Sequence, residues 1–164
     1  MLKRITHIYP AGAWLLIVGL SWSLQSSADT LAKPESLNDP ALKAVLNYDG
    51  NEEGVQIQSI IKHELDPGAP GVEQVVLWKV IGPTYWSVLI SVVSEQGGQW
   101  KLLARRNLNG AEAELESVGT DNLIVLDAKT PGPNDPICCP SQPKKLKYRY
   151  SLGKLLEVTP GVIQ

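Results

Sequence analysis

The chain has 164 residues, with 43% hydrophobic and 20% charged content, the balance of one ordinary globular domain rather than of a disordered segment. Its formal net charge is −2, and removal of residues 1–28, which hold Lys3 and Arg4 but no acid, takes it to 13 − 17 = −4. That argues against nucleic acid as the main partner, because phosphate binding requires a concentrated basic surface.

The N-terminus carries an export pattern. Lys3 and Arg4 precede an uncharged apolar stretch over residues 11–24, and Ser26-Ser27-Ala28 places small residues where a signal peptidase cleaves. The apolar stretch is about 14 residues long, short of the roughly 20 that a spanning helix needs. The reading is a signal peptide over 1–28, an extended leader over 29–38 and a single β-rich domain over 39–164, with no stable membrane span after cleavage. No Cys follows the apolar stretch, so lipoprotein processing is excluded. A mature chain in an oxidising compartment can keep disulfides.

Asn38-Asp39-Pro40 is a helix-start signal, and Leu42, Val45 and Leu46 follow at helical spacing, so a short helix is predicted to end near Tyr48. The period then changes to two. Strands are predicted over 55–64, 73–81, 85–94, 100–106, 111–118, 123–127, 145–150 and 155–158, separated by Gly, Pro, Asn and Asp clusters. Val88-Leu89-Ile90 is apolar on both faces, which places that strand inside a sheet. Gly97-Gly98 signals a two-residue hairpin. The fold class is mainly β, an antiparallel meander of seven or eight strands forming a twisted sheet, a barrel or a sandwich, with one short N-terminal helix over a face or an end.

Between the sixth and seventh strands lies Pro131-Gly-Pro-Asn-Asp-Pro-Ile-Cys-Cys-Pro-Ser-Gln-Pro143, which holds both cysteines and five of the twelve prolines. Two cysteines in an exported protein normally bond to each other. Adjacent Cα atoms are about 3.8 Å apart across a trans peptide, below the usual disulfide range, so a Cys138–Cys139 bond requires a tight turn, which Pro136 and Pro140 are placed to hold. Such a ring closes almost no loop and acts as a local stiffener. Free or intermolecularly bonded thiols, metal binding and dithiol chemistry are the rival readings; a metal site wants three or four ligands, and the common redox spacing is C-x-x-C.

Asp49-Gly50-Asn51-Glu52-Glu53-Gly54 resembles the opening of a calcium loop, with Asp49, Asn51 and Glu53 as ligands, but Ile60 stands where the twelfth-position Glu belongs. The plainer reading is an acidic turn. Glu112, Glu114 and Glu116 share one strand face, either a strip for a cationic partner or a solvated face balanced by bases. If residues 107–110 close a hairpin, Arg105 lies near Glu112 and Lys101 near Glu116. Lys145, Lys147 and Arg149 form a basic strip that suits pairing with neighbouring acids or an edge strand guarded against aggregation. Trp78, Tyr85, Trp86 and Trp100 read mainly as sheet core; Tyr85 and Trp86, beside the Gly82-Pro83 break, are the binding candidates among them. His63 is the single histidine after residue 28, and none of the common hydrolase, zinc-protease or phosphate-loop motifs is present.

Asp135-Pro-Ile-Cys-Cys-Pro-Ser141, followed by Lys147-Tyr-Arg-Tyr150, resembles the C-terminal signature of exported bacterial proteins of unknown function, including the LppP/LprE type of actinobacterial lipoprotein. The similarity implies an envelope location and assigns no activity or catalytic residue. The lipidation Cys of that family is missing, so its membrane anchoring does not carry over. The expected function is a non-enzymatic exported envelope protein that binds or supports an unknown protein or ligand through a rigid Cys-Cys-Pro loop, without a cofactor. The alternatives are thiol redox or metal handling through Cys138 and Cys139, and hydrolysis at a dispersed site around His63.

Overall fold

The computed structural model describes residues 30–31, 37–47, 54–136 and 138–159. The expected signal peptide, much of the leader and the Asp49, Asn51 and Glu53 turn lie outside the described residues. The order is β1 (Thr30–Leu31), α1 (Pro40–Leu46), β2 (Gly54–Lys62), β3 (Val72–Ile81), β4 (Trp86–Gln96), β5 (Gln99–Asn107), β6 (Glu112–Val118), β7 (Leu123–Thr130), β8 (Gln142–Ser151) and β9 (Lys154–Glu157). Every pairing is antiparallel between neighbours in the chain. One sheet runs β1-β2-β3-β4-β5 and the other β6-β7-β8-β9, so the meander folds into two sheets rather than a closed barrel.

The first sheet is buried on both faces. In β4 every residue from Val88 to Ser94 is buried, as its doubly apolar sequence predicts. One face, with Leu77, Ile90 and Val92, packs on Leu126, Leu146 and Tyr148 of the second sheet. The other, with Ile60, Val76 and Trp78, packs on Leu42 and Leu46 of α1. Trp78 is fully buried, and its indole N–H donates to Ser91 Oγ at 2.9 Å. The second sheet buries one face only, so β8 alternates strictly between exposed and buried over 145–150.

α1 begins where Asn-Asp-Pro places it. The Asp39 carboxylate accepts from Ala41 N at 2.8 Å and Leu42 N at 3.2 Å, and Pro40 fills the first turn. Its second oxygen accepts the Trp100 indole N–H at 2.9 Å, which ties the cap to β5. At the far end Arg105 Nη2 donates to the carbonyls of Leu46 (3.1 Å) and Val45 (3.5 Å), groups that a helix leaves unsatisfied.

Arg105 therefore does not face Glu112. Residues 107–110 do form a tight turn, with Asn107 Oδ1 accepting from Asn109 N at 2.7 Å and Asn109 and Gly110 at positive φ. That turn carries the chain from one sheet to the other instead of closing a hairpin. The reason is burial: Leu108 and Ala111 both enter the inter-sheet core and pull the backbone out of the plane of the first sheet. The glutamate strip finds its bases within its own sheet, Lys129 opposite Glu112 and Lys145 Nζ at 2.6 Å from Glu116 Oε2. β9 covers only the Tyr148–Ser151 end of β8, so Arg149 is internal while Lys145 stands where β8 is the edge of its sheet. The basic strip pairs with acids: Lys145 also meets Asp127 at 3.4 Å and Arg149 meets Asp121 at 3.3 Å. These pairs are exposed and screened by solvent, so they contribute little to stability.

Gly97-Gly98 turns β4 into β5 with φ of 60° and 79°, values that an L side chain rarely adopts, so the predicted hairpin has the geometry its glycines permit.

Burial pushes the Asp39 carboxyl up, but the Trp100 indole and the Leu42 and Ala41 amides outweigh it and hold it below its ordinary value of 3.8. A depressed carboxyl contributes stability above its unfolded value and loses it as pH falls through the folded one. Asp39→Ala should destabilise the protein at neutral pH by about 1–2 kcal/mol, measured by urea denaturation. An unchanged midpoint would show that α1 does not need this cap.

Candidate functional site

The registers bring one set of turns to one end of the sandwich. Gly54 pairs with Ile81 and Ile81 with Trp86, so the start of β2 and the 82–85 tip between β3 and β4 lie together. Leu108 N donates to Val88 O at 2.9 Å as the chain leaves β5 beside that tip and crosses to β6. Glu112 then pairs with Lys129, and Thr130 with Gln142, which puts the 131–141 loop at the same end of the second sheet. A Cβ on Gly110 would lie 3.4 Å from the Pro131 ring, so crossing and loop are in contact.

A disulfide joins Cys138 to Cys139 across a Cα separation of 3.8 Å. Both residues are exposed. The loop that presents them is held by one side chain. Asp135 Oδ2 accepts from Gly132 N and from Ser141 N, each at 2.7 Å, and Oδ1 accepts from Ser141 Oγ at 2.9 Å. Asp135 N donates to Gly132 O at 3.2 Å, and Cys139 N to Pro136 O at 3.0 Å. The disulfide-bearing turn is thus pinched at its two bases by a carboxylate. The two flanking prolines differ: Pro136 is exposed and Pro140 is buried, so Pro140 anchors the loop while Pro136 remains available at its surface.

Of the aromatic residues, the structure separates rather than gathers. Trp78 belongs to the core under α1 and Trp100 packs against it; Trp86 packs against the opposite, inter-sheet core. Lys79 places its ammonium 4.2 Å above the Trp86 ring, a cation–π arrangement. Tyr85 is 49% exposed and lies over Gly82, where a Cβ would come within 2.6 Å of the phenol ring. Gly82 N donates to Tyr85 O at 2.9 Å, and the two interactions fix the tip.

Near Trp86 the two sheets part. Gln58, Lys79 and Val88 of the first sheet face Ala113 and Ala128 of the second across a cleft of about 410 Å³, rimmed by Glu112, Glu114, Asp127, Lys129 and Pro143. The volume is that of a site for a small ligand or a peptide segment. Lys129 and Pro143, opposite each other, stand one residue pair before the disulfide loop. The rim carries both signs of charge, and small alanines form the floor where larger side chains would close the space.

Asp49, Asn51 and Glu53 lie outside the described residues, and among the described residues no three His, Cys, Asp or Glu side chains converge as metal ligands. His63 opens the 63–71 connection, at the end where β2 passes to β3, away from the cleft. No helix among the described residues is long and apolar enough to cross a membrane.

The sequence points to the loop and to Tyr85 and Trp86, but not to Lys79, the cleft or the Asp135 clamp. Asn134-Asp135-Pro136 is a turn signal that could have suggested the clamp, since Asp side chains accept from nearby backbone amides. Nothing local announces the cleft, which depends on two sheets meeting. In comparison with known proteins, the chain matches no family model, no curated protein and no solved structure.

The Gly132 amide, then the Ser141 amide and hydroxyl, hold the Asp135 carboxyl below its ordinary value of 3.8. The clamp is therefore intact above that value and is lost as pH falls through the lower folded one. In Asp135→Asn, amide exchange at Gly132 and Ser141 should accelerate at least about tenfold, as expected for a local opening, with little change in thermal midpoint. Unchanged exchange at both amides would mean that the loop holds its shape without the carboxylate.

Proposed function

We propose that this is a non-enzymatic exported protein of the cell envelope that binds a protein or small ligand at the end of the sandwich carrying the disulfide loop. The observation that carries the reading is the exposed Cys138–Cys139 turn, fastened by Asp135 beside the inter-sheet cleft. Ordering a loop before binding lowers the entropic cost of recognition. Tyr85 and Pro136 add exposed surface at the same end, and Trp86 with Lys79 lines the approach to the cleft.

Export is supported by the Lys3-Arg4 start, the apolar 11–24 stretch and the Ser-Ser-Ala site before Asp29. A disulfide in a two-cysteine chain also suits an oxidising compartment. The Asp135–Ser141 string, similar to exported bacterial proteins of unknown function, agrees with an envelope location.

A second reading, thiol–disulfide exchange, is favoured by the exposure of both cysteines, which leaves the S–S bond open to a thiolate. It predicts that Cys138→Ser abolishes a transferable dithiol activity towards a protein substrate. The binding reading predicts no such activity.

Site-specific photo-crosslinking in cells separates the ends of the molecule. A crosslinker at Tyr85 or Asn134 should give defined adducts, while one at Gly98, on the opposite end of the first sheet, should give none. Equal labelling at all three positions, or none at the first two, would contradict the proposed binding end. Sequencing of the released protein should begin at Asp29; recovery of a chain starting at residue 1 would remove the export argument.

A further inference from the structure

The cleft beside the disulfide loop holds charges that the fold itself leaves unpaired. Lys79 shares its face of β3 with Val75 and Leu77, which belong to the inter-sheet core. A lysine is out of keeping with that series. It is half-buried, lies directly opposite Val88 of β4, and rests its ammonium on the Trp86 ring. No acid among the described residues forms an ion pair with it. The ring fixes the position of the ammonium. A carboxylate would add a charge-assisted hydrogen bond, stronger than a neutral one, at a place partly withdrawn from water.

The wall built by the second sheet has the opposite excess. Glu114 of β6 stands directly opposite Asp127 of β7, and both line the cleft. Like charges at directly opposed positions of a sheet destabilise it. Lys145 answers Asp127 at 3.4 Å and is closer still to Glu116. Glu112, the third acid of the rim, has Lys129 opposite it. Glu114 makes no ion pair or hydrogen bond through its side chain among the described residues. One cation and one acid are thus left over, one from each sheet, at the same opening.

The rest of the lining suits an uncharged polar body. β2 bulges between Ile57 and Ser59, which pair with Trp78 and Leu77 and leave Gln58 out of register. A bulge re-aims the side chain it carries. Gln58 lines the cleft with a carboxamide that both donates and accepts, as a peptide group does. The alanines of the floor leave a volume of about 410 Å³, toward the lower end for small-molecule sites.

We propose that the cleft binds a di- or tripeptide by its free ends, with Lys79 taking the carboxylate, Glu114 the ammonium and Gln58 a peptide group between them. The proposal rests on the reading of this end of the sandwich as the binding end, and it adds the class of ligand. The same charges select against other classes. The rim acids repel phosphate-bearing and other polyanionic ligands, and Lys79 with Lys129 repels a dication.

The probe is trialanine with free ends, titrated into the full chain with its disulfide intact. Nuclear magnetic resonance follows the Trp86 indole N–H and the amides of Ala113 and Ala128, with the Gly98 amide as a control at the opposite end. Trialanine should shift the three cleft signals saturably and leave Gly98 unmoved. Acetyl-trialanine, which lacks the ammonium, and trialanine amide, which lacks the carboxylate, should each bind at least about tenfold more weakly, as loss of a hydrogen bond between charged groups implies. Lys79→Met keeps an apolar stem over Trp86 and should bind trialanine and trialanine amide equally. Glu114→Gln should bind trialanine and acetyl-trialanine equally. Each variant then loses discrimination at one end only, which a general disturbance of the fold does not produce. The proposal is overturned if the blocked peptides bind as trialanine does, if the variants keep the native discrimination, or if trialanine leaves the cleft signals unmoved. The first two results would still place a ligand in the cleft, removing the ligand class while the binding end stands. The binding end itself is tested separately, by the crosslinks at Tyr85 and Asn134.

Discussion

The structure depends on a sheet whose central strands are apolar on both faces. β3 is buried from Glu73 to Trp78, and β4 from Val88 to Ser94. Such strands are stable only with cover on each side. The chain supplies two unlike covers. On one side a helix of seven residues lays Leu42 and Leu46 over Trp78 and its neighbours. A helix this short does not persist alone in water; here Asp39 anchors its start through Trp100, and Arg105 takes up its final carbonyls. On the other side four strands form a second sheet whose inner residues complete the main core and whose outer face is solvated by paired charges.

Covering the second face requires the chain to leave one sheet and start another, and the place where it does so determines where the candidate site lies. Leu108 and Ala111 bury the crossing, so β6 starts beside β2 and not beside β5. The two sheets part at that end, over small alanines, and leave the cleft. The 131–141 loop joins the strands that line it. Thus the fold positions three otherwise separate features together: a fixed tip at Gly82 and Tyr85, a cleft with charges of both signs, and a rigid turn with its two sulfurs exposed. The opposite end carries a different device, a buried acid, Glu73, that fastens the 63–71 connection.

Much of this was legible in the sequence, and the parts that were not share a cause. Period-two patterning locates the strands to within a few residues, because a one-residue slip would turn Leu146, Tyr148 and Tyr150 outward. Asn38-Asp39-Pro40 and Gly97-Gly98 mark a helix start and a hairpin through local backbone chemistry that needs no tertiary context. Asn107-Leu-Asn-Gly110 has equally good turn chemistry, yet whether it closes a hairpin or crosses between sheets is decided by the burial of Leu108 and Ala111, which no local pattern expresses. The same holds for Arg105, whose partners are carbonyls about sixty residues away in sequence. Alternation puts Glu73 on the face of Val75 and Leu77, and the amides of Leu65 and Asp66, which meet its carboxylate there, come from a connection that no local pattern predicts. Pro136 and Pro140 look equivalent in the sequence, and only the packed loop distinguishes the exposed one from the buried one.

The account rests on the Cys138–Cys139 turn as a closed, rigid surface, and its redox state in the native protein is the most direct test. Intact mass spectrometry of protein taken from its own compartment, with and without a thiol alkylator under denaturing conditions, reads it in one step. A closed ring gives a mass ~2 Da below the dithiol form, no alkyl adducts and no disulfide-linked dimer. Two alkyl adducts on the native protein, or a dimer that reducing agent dissolves, would contradict the account, because the exposed turn would then be an open pair of thiols rather than a fixed recognition element.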